Sequence, residues 1–292
     1  MKTWTSKWWI TAGIFLAVGL VFMAFSVGLG ALGHGIYIDS RGVHISGRDN
    51  TDTTFTESNL DAFTSITVST RSTDIELIAS DHFGFEAHLP HNNDSFEWRL
   101  EDGRLTIEAG RHNDSWRIDL FSLNFSSNNA IKIFYPEGAE FADLVFDATS
   151  GNITFSDISA DSIRARVVSG DIRTERWQSR AVGLHTTSGN ITVIDADWQE
   201  LDAEAVSGNI RLGGTAALRT HAKTTSGNIT STLTGSPEAH VYELEVTSGT
   251  IRVGGQRMGS PARSAWPPSG SSDLSEIKFR TTSGNIHLDF RD

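Results

Sequence analysis

One short motif limits what this chain can become. Ser-Gly-Asn-Ile stands at 150–153, 188–191, 207–210, 226–229 and 283–286. Ser169-Gly170-Asp171-Ile172 and Ser248-Gly249-Thr250-Ile251 depart from it by one residue. Gly151, Gly170, Gly189, Gly208 and Gly227 follow one another at intervals of 19 residues, Gly249 comes 22 later and Gly284 a further 35. A fixed period near 20 residues is the signature of stacked repeats, each too small to bury its own apolar face.

The flanks show what each repeat is. Two residues after the glycines stand Ile153, Ile172, Ile191, Ile210, Ile229, Ile251 and Ile286; five before them stand Phe146, Ala165, Leu184, Ala203, Ala222, Leu244 and Phe279. The positions between are mostly polar or charged. Apolar residues spaced by two mean strands with one buried face. Glycine followed by Asn or Asp suits a tight turn needing positive φ. The expected fold is all-β: a parallel β-solenoid of about 19-residue coils, with Ile stacked on Ile inside and Asn on Asn at the turn. Hairpins laid side by side are the rival, which the repeated turn disfavours.

The structural turn set is Gly151, Asn152, Gly170, Asp171, Gly189, Asn190, Gly208, Asn209, Gly227, Asn228, Gly249, Gly284 and Asn285. Weaker copies lie around Thr73 and Gly103, and Asn129–Pro136 reads as a further strand, so the array begins near residue 60. Caps are expected from the polar segment before residue 60 and from Asp289-Phe290-Arg291-Asp292. Gly254–Ser275 supplies the excess of the longest interval. Its Gly, Ser and Pro predict an extruded loop, with Trp266 as a contact able to fold back on the coils or meet a partner.

Residues 8–32 carry no charge and follow Lys2 and Lys7. They are long enough to span a bilayer, and the lysines orient the N-terminus inward. The expected order is a cytoplasmic tail at 1–7, a transmembrane anchor at 8–32, a linker and N-terminal cap at 33–59, and the solenoid at 60–292. That predicts a single-pass inner-membrane protein with an extracytoplasmic C-terminal domain. A cleaved signal peptide is the alternative.

An N-terminal anchor followed by alternating strands and repeated Thr-Ser-Gly-Asn-Ile resembles the bacterial "putative-adhesin" family of β-strand repeats, a domain of unknown function. The resemblance covers about residues 60–292. It implies a right-handed, β-helix-like stack exposed outside the membrane, and it brings no catalytic residues.

Chemistry is sparse. A net charge of −12 disfavours nucleic acid as a partner. No cysteine is present, which removes disulfides and thiolate chemistry. The Asn/Asp ladder holds one carboxylate, Asp171, too few for a calcium ladder. Asp147, Asp157, Asp171 and Asp195 occupy three different columns, so they give no paired acid and base. His82, His88, His91 and His112 lack zinc-like spacing. No catalytic residue, metal site or cofactor is therefore expected.

The outward charged rows read as cross-strand ion pairs, Asp147 beside Arg166 and Glu204–Lys223–Glu245 among them. Arg173, Arg211 and Arg252, alternating with Thr192 and Thr230, form the row best suited to an anionic or sugar ligand. The expected function is a non-catalytic, adhesin-like interaction or structural module of the cell envelope, with an unidentified envelope protein or glycan as partner. Alternatives are a glycan-binding or glycan-acting β-helix and an accessory part of envelope-stress sensing.

Overall fold

β-Branched and aromatic residues at alternate positions favour extended backbone with one face turned inward. The computed structural model describes residues 35–39, 42–46, 53–89, 96–110, 118–121, 129–263 and 274–291, with side chains placed in 53–89, 96–110, 129–263 and 274–291. Apart from one 3-10 turn at Pro237–Ala239, the elements are strands, so the fold is all-β.

Two units are distinguished. In the smaller, Gly35–Asp39 and Gly42–Ser46 form a hairpin, and Ile118–Phe121 adds antiparallel to the first strand. The larger holds the repeats, in one continuous sheet of nineteen strands. Long strands Ile153–Ser169, Ile172–Ser188, Ile191–Ser207 and Ile210–Ser226 pair in parallel, each residue opposite its equivalent one repeat on, with a bulge between the last two. These strands bend. The first three leave the plane at Asp157, Arg176 and Asp195, whose φ values are 59°, 48° and 47°. Each coil thus has a segment after the glycine, a short side beyond the corner, and a segment leading to the next glycine.

Inside runs an unbroken line of isoleucines, 131–75–153–172–191–210–229–286–251 in register order. None is more than 1% exposed. Each contributes about 1.5–3 kcal/mol of burial, and the stacking lets neighbouring coils share a dry surface. Phe155 lies behind this line, and at the corner Trp177 and Trp198 pack with ring centres 6.0 Å apart. Both indoles find a hydroxyl at 2.8 Å, Thr174 for Trp177 and Thr220 for Trp198. Buried threonines need acceptors as well. Thr186, Thr224 and Thr281 donate to the carbonyls of Gly170, Gly208 and Gly227, the turn glycines of the coils beside them.

The register order departs from the chain order in one place. Ser275–Ser283 pairs on one edge with the end of Ile210–Ser226 and on the other with His240–Ser248. Ile286–Arg291 likewise lies between Ile229–Thr234 and Ile251–Val253. The last coil of the chain is therefore inserted between the two that precede it. The expectation that Asp289-Phe290-Arg291-Asp292 caps the stack is corrected by this, since Ile286–Arg291 is an interior rung. The true end is the Gly249 coil, and the long insertion serves it. Gln256–Met258 folds back antiparallel on Ile251–Val253, and Ala262–Arg263 pairs antiparallel with His240–Ser248. The segment expected to be an extruded loop thus begins as an edge cover, with Ala262 buried.

The opposite end is irregular. Ser65–Ser72 and Asp74–Ser80 form a true coil, with Ile66 opposite Leu144 and Ile75 opposite Ile153. Around Gly103 the expected repeat turn is instead a hairpin, Phe96–Glu101 against Arg104–Ala109. It places Leu105 opposite Ile66, in the segment before the turn. Ala130–Pro136 runs parallel to Asp74–Ser80 on one edge and antiparallel to Gly84–Leu89 on the other, and Thr53–Ser58 lies antiparallel outside that. Antiparallel strands so finish both ends of the stack.

The prediction of a single-pass membrane protein is also corrected. Among the described residues no helix is long and apolar enough to cross a membrane, and the span expected at 8–32 lies outside them.

Tyr135 is buried against Phe141, and its hydroxyl donates to the carbonyl of Ser156 at 2.7 Å. Burial, with a smaller effect of the Asp157 charge, pushes the phenol up to about 12. A phenol raised on folding stabilises fully below its unfolded value, near pH 10, and that stability is lost as pH rises towards 12. Urea midpoints of the wild type should therefore fall more steeply over that window than those of Tyr135→Phe. Parallel curves would contradict the assignment.

Candidate functional site

The loudest repeated polar feature, the turn ladder, is consumed by its own structure. The amide N–H of Asn152 donates to the Asp74 carboxylate, and the same bond then passes up the register order from coil to coil. It runs through Asp171, Asn190, Asn209, Asn228 and Asn285 and ends at Thr250, with distances of 2.6–3.0 Å. From Asn190 to Asn285 the side-chain Nδ2 donates to the same oxygen at 3.0–3.3 Å. Each such Oδ1 thus accepts twice and has little left for a ligand. Asp74, at the start of this ladder, was missed in the sequence because Thr73 replaces the glycine before it. Asn209→Ala removes both acceptor bonds to Asn228, and a loss of about 1–2 kcal/mol in chemical denaturation is expected. An unchanged midpoint would show the ladder to be energetically idle.

The corner column has a different use. Arg176 Nε and Nη2 meet the two carboxylate oxygens of Asp157 at 2.8 and 2.9 Å, and Arg176 also contacts Glu175. The hydrogen bonds from Arg176, opposed by slight desolvation, hold the Asp157 carboxyl below the usual carboxylate range, and the same pair holds the guanidinium above its ordinary value. Asp195 receives Arg291 at 2.7 Å. A general acid at neutral pH needs the reverse, a carboxyl pushed up by burial or by a second carboxylate. Asp147 stands elsewhere, in an outward row between Ser69 and Arg166.

That row and its neighbour carry the cross-strand pairs. Arg280 meets Glu245 at 2.8 Å, His185 meets Glu204 at 3.6 Å, and Glu243 meets Arg263 at 2.5 Å and Lys278 at 3.6 Å. The expected Glu204–Lys223–Glu245 run is broken, because the inserted coil places Arg280 between Lys223 and Glu245. Glu243 is held below its usual range, first by the hydrogen bond from Arg263. Of the histidines, His82 contacts Asp81 at 2.7 Å and His88 contacts Glu86 at 2.9 Å, while positions 91 and 112 lie outside the described residues.

The row containing Arg173, Arg211 and Arg252 lies on the outward side of the segment after the glycine. In register order it reads Glu76, Thr154, Arg173, Thr192, Arg211, Thr230, His287, Arg252, Arg257. The structure thus brings the three arginines into one line, and it adds His287 and Arg257. His287 shares the offset of three residues after its glycine, so its row was legible; its place between Thr230 and Arg252 was not, because the insertion of the last coil is not. Arg257 was not legible, because the hairpin around Gly254-Gly255 reads as loop. The four arginines are exposed. Among the described residues none of them has an ion pair, in contrast to Arg104, Arg176, Arg219, Arg263, Arg280 and Arg291. Trp266 lies outside the described residues.

No curated protein matches the chain. Solved structures resemble it at low identity. One is described as a "putative adhesin" from Bacteroides fragilis, at 14% identity over 82% of this chain and 97% of that one, with a TM-score of 0.43. Another, a "putative cell adhesion protein" from Clostridium sporogenes, shares 12% over 83% and 100%, with a TM-score of 0.30. A "putative adhesin" from Parabacteroides distasonis shares 11% over 82% and 98%, with a TM-score of 0.35. The model of the Toastrack DUF4097 family matches residues 63–289, which is most of the chain and all of its coils, and the protein belongs to that family.

Proposed function

We propose that the protein is a non-catalytic, adhesin-like recognition module whose ligand lies along the outward row after the turn glycines. One observation carries this reading. Arg173, Arg211, Arg252 and Arg257 fall in one outward row, exposed and without an ion pair among the described residues, whereas Arg176 and Arg291 are bound to the carboxylates of the corner column. An unpaired cation on an exposed strand adds little to stability and is available to a ligand. The reading is non-catalytic because Asp157 is bound to Arg176 and Asp195 to Arg291, which leaves neither free to serve as acid or base.

The test is a glycan array probed with the full chain, together with an assay for newly released reducing ends on whatever binds. Binding without turnover is expected. Release of reducing ends would overturn the non-catalytic reading, and absence of binding to glycan or protein ligands would overturn recognition itself.

A further inference from the structure

We propose that the line Arg211–Thr230–His287–Arg252–Arg257 binds a linear acidic polysaccharide whose negative charges recur on alternate sugars. This rests on the recognition reading above and names its ligand class.

The line exists because of the inserted coil, which brings His287 between Thr230 and Arg252. Its strands lie about 4.8 Å apart, so its length is about 19 Å. Side chains with N–H donors at Arg211, His287 and Arg257 recur every second strand, about 10 Å apart by that spacing. This is close to the length of two sugar rings in an extended chain. Thr230 stands between the first two and offers a hydroxyl, as a sugar between two charged sugars requires.

The surroundings define the site and its limit. Residues two apart on a strand share a face. Arg211 therefore has Asn209 and Gly213 beside it, and Arg252 has Thr250. The one carboxylate beside the line, Asp289, meets His287 at 3.1 Å. Arg173 differs, because Asp171 in the turn and Glu175 on the strand flank it two residues to either side. Those acids repel an anionic chain and end the site there.

Arg252 and Arg257 stand directly opposite each other in the terminal hairpin. Like charges so placed are destabilising, and no acid among the described residues relieves them. A carboxylate between the two guanidinium groups would, with charge-assisted hydrogen bonds from both.

Nucleic acid fits poorly. It carries a charge about every 3.4 Å per strand and binds to dense cationic surfaces, whereas this line is sparse and the chain carries −12. Single strands also need aromatic platforms, and among the described residues the exposed aromatics, Phe55 and Trp98, lie at the far end of the stack.

The experiment titrates the full chain with hyaluronan, a polymer of alternating glucuronate and N-acetylglucosamine. Dextran serves as a neutral polymer and a thymidine oligonucleotide as the other polyanion. Hyaluronan should bind with salt-dependent affinity, and dextran should not. The triple variant Arg211→Ala/Arg252→Ala/Arg257→Ala should weaken binding about tenfold or more, while Arg180→Ala, an exposed cation outside the row, changes it less than about twofold. The substituted side chains are exposed, so circular dichroism should stay that of the wild type. No binding to hyaluronan, an equal loss with Arg180→Ala, or tighter binding of the oligonucleotide would each overturn the proposal. If hyaluronan fails while neutral glycans bind on the array, this ligand class falls and the recognition reading stands. If nothing binds, both fall.

Discussion

Gly208→Val is expected to lose most or all of its native population. A Cβ at this position would lie 1.7 Å from the carbonyl oxygen of Gly189 and 2.7 Å from its carbon, whereas real Cβ contacts stay beyond 3.0 Å. The obstacle is backbone and cannot swing away. It is also held, because Gly189 donates its N–H to Ser207 and Gly208 donates to Ser226. Making room would pull two coils apart by more than an ångström and break the bonds that join them. A penalty above about 4 kcal/mol follows, against a typical total stability of about 5–15 kcal/mol. Gly138→Ala is the control. Gly138 also has positive φ, 77°, but nothing lies within 4 Å of its would-be Cβ. Only the conformational penalty remains there, about 1–2 kcal/mol. Urea denaturation followed by far-ultraviolet circular dichroism should separate the two variants widely. Similar midpoints would mean that the coils tolerate a side chain at the turn.

The second large effect tests the order of the coils. The chain has no cysteine, so introduced pairs report without background. Lys223 and Arg280 are register partners on adjacent strands, and Glu245 lies one strand beyond Arg280. Adjacent strands are about 4.8 Å apart, within reach of a disulfide, whereas two steps give about 10 Å, which is too far. Lys223→Cys/Arg280→Cys should oxidise almost completely, and Lys223→Cys/Glu245→Cys hardly at all. The first bond would close a loop spanning the same 57-residue interval that separates Asn228 from Asn285. Restriction of the unfolded chain should then add about 4 kcal/mol of stability. The opposite crosslinking pattern would restore the simple sequential stack.

Why sequence alone favours that simpler stack is instructive. The constant interval between glycines tells which residues become neighbours, because parallel in-register pairing joins equivalents. It therefore leads directly to the isoleucine line, to the Asn ladder and to Arg173 and Arg211 sharing a row. It carries no information about which coil follows which once the interval changes. The coils of Gly227, Gly249 and Gly284 have the same apolar template, and any of them could stack on any other. What separates them is the 3-10 turn at Pro237–Ala239 and the insertion after Gly254, whose strands are too short to show a period. The same limit hid the place of His287 between Thr230 and Arg252, and it hid Arg257 altogether. Around Gly103 the template fits the residues, yet Asp102-Gly103 takes positive φ at both positions and closes a two-residue hairpin. Alternation is common to both arrangements, so it could not tell them apart. Apolar character at residues 8–32 speaks for a span by composition, and no described element carries that reading further.

The wedged last coil has a consequence for how the molecule is made. Domains generally fold from the N-terminus as the ribosome releases them. The Gly151, Gly170, Gly189 and Gly208 coils are consecutive in both chain and register, so they can zip up as they emerge. The final three cannot. The Gly227 coil must wait, with an open edge, until Ser275–Ser283 and Ile286–Arg291 leave the tunnel and enter between it and the Gly249 coil. A product arrested before residue 275 therefore keeps unpaired strand edges, which proteases and chaperones can recognise. Closure of this end is thus built into the order of the rungs, since it waits on the last of these strands to be made.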